Sequence, residues 1–183
     1  MPQIIGHEHS KLKEKKLIIE TDRLDLVPLT VAQYHHWINN ISLLEKELEC
    51  SYQAEPLEDI FLSILRKQFV VTKKDAKNYL YHTFWFLIRK TDRVVVGSAD
   101  FKDLPDNQDE VEIGYGLGKR FNHKGYMTEA IQAMCHWALT QENVSCIIAE
   151  TEISNSASQN MLRRCGFKTY QKGSACWWRL PKI

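Results

Sequence analysis

DEVEIGYGLGKRFNHKGYMTEAIQAM, residues 109–134, is the stretch whose reading decides the fold. It opens as a strand, DEVEIGYGL (109–117), in which Glu110, Glu112 and Gly114 share one face by alternation. It ends inside the clearest helix of the chain, predicted over 124–142. There Met127, Ala130, Ile131, Met134, Cys135, Ala138 and Leu139 keep the i, i+3, i+4, i+7 spacing of a buried stripe. Between the two lies a basic, glycine-bearing loop. The first turn of a helix offers unpaired N–H groups and the positive end of its dipole, which together suit an anion. Those donors belong to residues 123–128, Gly125 has no side chain to block a phosphate, and Lys119, Arg120 and Lys124 add positive charge. The same residues also read as a solvated basic turn, and the loop alone leaves both readings open.

Two nucleotide motifs fail here. GYGLGK (114–119) has Lys119 where a dinucleotide fingerprint needs its last glycine, and its glycines lie within the strand. A phosphate-binding Gly-Lys-Ser/Thr loop is missing as well, because Gly125 is followed by Tyr126 and Met127. The glycines Gly114 and Gly116 fit instead a bulged, splayed strand that a ligand backbone can approach.

Further out, LIIETDRLDLVPL (17–29) reads as strand with imperfect alternation. Thr30 is an N-cap for a helix over VAQYHHWINN, and helical stretches follow at 41–49 and about 56–71. TFWFLIRKTDRVVVGSADF (83–101) reads as a hairpin turning at Lys90–Arg93. VSCIIAET (144–151) is short and apolar, hence an interior strand, and a helix over 155–165 stops at Gly166. FKTYQKG and SACWWRL close the chain as a second hairpin. Meandering strands joined by crossover helices predict an α+β fold with a sheet of mixed direction. No repeat or linker divides the chain: residues 1–16 read as a polar arm and 17–183 as one domain.

The composition is that of an ordinary globular protein, 44% hydrophobic and 26% charged. Twenty-four Lys and Arg against 23 Asp and Glu leave +1, so no direct nucleic-acid or membrane-surface binding is expected. No apolar run reaches the roughly 18 residues of a membrane span. With no signal-peptide core at the N-terminus, a cytoplasmic location is expected. The five cysteines are odd in number, widely spaced and without a CxxC pair, which points to free thiols in a reducing compartment. His7 and His9 sit in the polar arm. His35 and His36 are adjacent and cannot share a helix face, so no metal site is expected.

Read with ETEISNSASQNMLRRCGF (150–167), the opening stretch resembles the GNAT acetyltransferase superfamily, and is most similar to the branch that includes ribosomal-protein N-terminal acetyltransferases. The resemblance runs from about Leu17 to Leu180, with its specific part at 109–167. It implies a single-domain fold with a mixed central sheet flanked by helices, and acetyl-CoA as co-substrate. The family loop, Gln/Arg-x-x-Gly-x-Gly/Ala, cradles the pyrophosphate and falls on Asn122, Gly125 and Met127. Gly125 alone matches cleanly, and His123 stands where glycine is common. The cradle implied by the resemblance also takes in Lys124, Tyr126 and Thr128. The backbone of Leu117, together with Asn155 and Ser158, is implied for the pantetheine arm.

Acetyl transfer to an amine needs a proton acceptor, a stabilised oxyanion and a departing thiolate. Glu112 is the candidate base, in the position where this branch commonly has a glutamate; its other reading is a surface residue on a half-exposed strand. Many relatives protonate the thiolate with a tyrosine, whose position here is Leu162. Ser158, a water or no acid at all would take its place. Asn155 is a good N-cap with or without a ligand. Tyr34, Trp37 and Trp85 line an acceptor pocket or fill the core, and of Trp177 and Trp178 one faces inward. The implied acceptor is a primary amine: a ribosomal or other protein N-terminus, or a small amine. The alternative is a non-catalytic acyl-CoA-binding or ribosome-associated module, for which Asn122, His123 and Leu162 speak. A homodimer through the terminal hairpin is left open.

Overall fold

The computed structural model describes residues 17–183, so the polar arm at 1–16, with His7 and His9, lies outside the described residues. The chain begins with β1 (Ile19–Glu20), β2 (Leu24–Pro28), α1 (Val31–Asn39), α2 (Ile41–Leu48), β3 (Ser51–Tyr52) and α3 (Asp59–Lys74). A 3-10 turn at Ala76–Tyr81 leads to β4 (Phe84–Arg89), β5 (Val94–Phe101) and β6 (Glu110–Leu117). Then come α4 (Tyr126–Leu139), β7 (Cys146–Glu152), α5 (Ser156–Arg164), β8 (Lys168–Lys172) and β9 (Ala175–Pro181). The strands form one mixed sheet in the order β1-β2-β4-β5-β6-β7-β9-β8, with β3 parallel to β5 at the side. The β6–β7 pair is also parallel, because α4 carries the chain back across the sheet between them.

Local signals explain most boundaries. Thr30 caps α1 through a reciprocal box: its hydroxyl accepts from Gln33 N at 3.2 Å, and Gln33 Oε1 accepts from Thr30 N at 3.1 Å. α5 ends where Gly166 turns left-handed at φ +90°, with Phe167 N donating to Leu162 O and Gly166 N to Arg163 O. The stretch 17–29 is two strands, not one, because a turn held by Thr21 Oγ1 and the backbone of Leu24 breaks it.

Both faces of the sheet are covered. On one, Val111 and Ile113 pack with Met127, Ile131 and Met134 of α4 and Leu162 of α5. On the other, Phe84, Phe86 and Ile88 pack with Tyr34, Trp37, Leu44 and Leu65 of the first three helices. Tyr34, Trp37 and Trp85 are fully enclosed in these cores, which settles them as packing residues. Trp178 faces inward and donates to Thr151 Oγ1 at 3.0 Å, whereas Trp177 is half-buried. All five cysteines are free thiols. Among the described residues, no helix is long and apolar enough to cross a membrane.

Candidate active site

β6 stays in register with β7 for only three residues, Glu110 to Glu112 against Cys146 to Ile148. Beyond Glu112 it bonds β5 alone up to Leu117, while β7 bonds β9 up to Glu152. The two parallel strands therefore part into a wedge. Main-chain groups along the inner edge of residues 113–117 have no strand partner across it, and Leu117 stands at the open end. α4 and α5 each start just after one of these strands, so both helix N-termini face the same end as the open wedge.

The loop from β6 into α4 is shaped by close packing and two left-handed residues. Gly118 presses on the chain at 53–54, where a Cβ would stand 2.8 Å from Gln53 O. Phe121 is buried as an anchor. His123 adopts φ +61° and Gly125 φ +80°, which explains why the family prefers glycine at the first position. Histidine tolerates this region better than most side chains. Gly125 caps α4 without a side-chain hydrogen bond, and the first intrahelical bond runs from Glu129 N, leaving the amides of Tyr126, Met127 and Thr128 pointing out of the first turn.

Two arginines distant in sequence lie beside this helix start. Arg23, from the turn before β2, donates to Lys124 O at 2.9 Å and to Glu129 Oε2 at 2.6 Å. Its guanidinium stacks 4.6 Å from the centre of the Tyr126 ring. Burial pushes the Glu129 carboxyl up, but hydrogen bonds from Thr21 and Arg23 outweigh it and hold the group below its ordinary range. Arg89 donates to Tyr126 Oη at 3.2 Å and is itself fixed by Asp92. Arg120 and Lys124 lie over the Phe121 ring and Lys119 is in the same loop, so five basic residues gather near the glycine-capped helix start, with Arg23 and Arg89 paired to Glu129 and Asp92.

Across the wedge, Tyr115 Oη lies 2.6 Å from Ser158 Oγ, joining β6 to the first turn of α5. Asn155 Oδ1 accepts from Ser158 N at 3.0 Å, so its capping role is realised. Burial pushes the Tyr115 phenol up to about 12, with the Ser158 hydrogen bond opposing. Leu162 is enclosed in the core. The hydroxyl pair therefore bridges the wedge at the first turn of α5, one turn before Leu162.

The opposite face of β6 carries carboxylates. Glu112 forms an ion pair with Lys102, and Glu110 is paired with Arg179. Gly114 and Gly116 do not mark a bulge, since β6 pairs with β5 in unbroken register from Ile113 to Leu117, but they do lie where β6 splays from β7. They are floor instead. A Cβ on Gly114 would stand 2.7 Å from Asp100 Oδ1, and one on Gly116 would overlap Glu55 Oε2. Burial pushes the Asp100 carboxyl up to about 7, with Lys102 opposing and Glu112 adding. Burial also raises Glu55.

Arg23, Arg89, Tyr115, Asp100 and Glu55 are absent from the sequence reading. The first two and Glu55 reach the site only through tertiary contacts. Asp100 left a trace: it is a lone carboxylate in the apolar run VVVGSADF.

A family model described as an acetyltransferase (GNAT) domain matches residues 20–168. The chain belongs to the GNAT acetyltransferase family. It is 31% identical over 153 residues to the uncharacterized N-acetyltransferase YjdG of Bacillus subtilis (strain 168), covering 82% of this chain and 89% of that protein. In fold it is similar to RimL, a ribosomal L7/L12 alpha-N-protein acetyltransferase solved with coenzyme A (TM-score 0.65, 16% identity, 90% of this chain and 98% of that one). It is similar too to the ribosomal-protein-S5-alanine acetyltransferase of Vibrio fischeri (TM-score 0.64, 16% identity, 91% and 97%). At these identities the structural likeness carries the fold alone.

Proposed function

We propose that the protein transfers the acetyl group of acetyl-CoA to a primary amine by direct attack within a ternary complex. The observation that carries this reading is the wedge between β6 and β7, open at the end where α4 starts from a glycine cap with five basic residues near it. The loop 122–128, with Arg23 and Arg89 beside it, would hold the pyrophosphate. The unpaired edge of β6 up to Leu117 would bond the pantetheine arm and polarise the thioester carbonyl.

The amine arrives on the opposite face of β6, where the carboxylates stand. It must lose a proton before attack, and Glu112 takes part in carrying that proton away. As the C–N bond forms and the C–S bond breaks, the thiolate leaves toward Ser158, whose hydroxyl is positioned by Tyr115. This pair supplies the proton for which Leu162 has no group. The kinship in fold with enzymes named for ribosomal-protein N-termini favours a peptide α-amine as acceptor.

The test is release of free thiol from acetyl-CoA in the presence of two peptide pools, one with free and one with blocked N-termini, alongside small primary amines. Amine-dependent thiol release supports the reading. A folded protein that binds acetyl-CoA yet releases no thiol with any amine would mean a non-catalytic binding module.

A further inference from the structure

Beside the carboxylates of β6's outer face stands one more, on β5. Asp100 lies on β5 directly across from Gly114 and retains 8% exposure. Its carboxyl accepts no hydrogen bond from any described residue. A carboxylate so nearly buried, without a side-chain partner, is costly to keep ionised and gains from a cationic partner reaching it through its exposed edge. Its surroundings face it from every side. Lys102 and Glu112 form an ion pair beside it, Glu55 covers the next glycine along, and the phenol of Tyr34 is already committed to Leu65 O at 3.0 Å. Phe84, its cross-strand neighbour on β4, supplies an aromatic wall. Three carboxyls against one ammonium leave this cluster short of positive charge.

We propose that Asp100 is the group that receives the acceptor's ammonium and takes its proton, with Glu55 as a second anionic contact, so that the acceptor is a cationic primary amine bound as R–NH3+. This rests on the acetyl-transfer reading above. The ammonium gives one proton to the Asp100 carboxylate, and the freed nitrogen lone pair attacks the thioester carbon. The C–N bond forms and the C–S bond breaks, with the sulfur keeping the electron pair. The nitrogen sheds its second proton to the thiolate through the Tyr115–Ser158 hydroxyls. Asp100 passes its proton by way of half-exposed Glu112 to solvent, which resets the site. Glu112, already held by Lys102, thus serves as the exit for the proton, and Asp100 as its first acceptor. The raised ionisation of Asp100 agrees with this: a base poised near neutrality accepts a proton and returns it readily.

The experiment is a carboxyl carbon NMR titration of the full chain saturated with coenzyme A, which carries no acetyl group to transfer, alone, with n-butylamine, and with n-butanol as the uncharged isostere. Asp100→Asn assigns the signal; should that variant not fold, Glu55→Gln and Glu112→Gln assign it by elimination. The expected result is a carboxyl titrating near 7 that moves down by at least one pH unit with butylammonium and stays put with butanol. A signal titrating near 4, or one indifferent to butylammonium, overturns the proposal. Calorimetry on the same sample separates the two readings: if coenzyme A binds and Asp100 does not respond, the amine site alone is wrong. If coenzyme A does not bind, the acetyl-transfer reading fails first.

Discussion

In the role proposed for it, Asp100 would tie catalysis to stability. In the unfolded chain an aspartate ionises near 4, whereas burial holds this one near 7 in the fold. Between those values the native state binds more protons than the unfolded state, so this residue lowers stability as pH rises from about 4 to 7. Asp100→Asn removes that loss. Thermal melts should show the variant gaining on the parent from pH 5 to pH 8, with an advantage of about 2–4 °C or more at pH 8, while acetyl transfer falls by about 100-fold or more. A parallel pair of melting curves would count against a raised Asp100. At the other end of the reaction, Ser158→Ala and Tyr115→Phe each remove a hydroxyl from the 2.6 Å pair. Each should lower kcat by about 10–100-fold, the worth of a hydrogen bond to a charged group. Steady-state rates at saturating acetyl-CoA check this.

Among the elements, β6 does the most. Its inner edge opens the wedge, one face is core, and the other is glycine floor beneath two carboxyls. Gly114→Ala is therefore informative: its Cβ would come within 2.7 Å of Asp100 Oδ1 and push the carboxyl off the floor. Amine-dependent turnover should drop at least tenfold with acetyl-CoA affinity held within about twofold, measured by rates and calorimetry on one preparation. The element order, the hairpin at 83–101, the helix α4 and the capping of α1 and α5 were legible because each rests on local spacing or a local cap. Two-residue β3 was not, since its pairing with β5 has no periodic signature. Nor was the break at Thr21–Arg23, where a turn side chain overrides a strand-like run. The loop 122–128 and Ser158 were named through the family resemblance, and the glycines of β6 suggested a bulge. Their real neighbours, Asp100 and Glu55, arrive from other parts of the chain. Arg23 and Arg89 were hidden for the same reason: contacts spanning 37 to 106 residues bring them to α4.

For the molecule as a whole, a net charge of +1 conceals a division of charge. Cations gather at the start of α4, and carboxylates line the outer face of β6, where the amine is proposed to bind. An anionic and a cationic substrate can thus approach separate sites without competing. Partly exposed charges are screened over roughly 8 Å at physiological salt, so affinity for acetyl-CoA should weaken as ionic strength rises. The most direct test of the central claim is calorimetric titration of the full chain with acetyl-CoA, repeated on Arg23→Ala and Gly125→Ala. Binding in the micromolar range by the parent, weakened about tenfold or more in each variant, is the predicted result. A folded parent that gives no heat with acetyl-CoA, or variants that bind as tightly as the parent, would contradict a cradle at the start of α4.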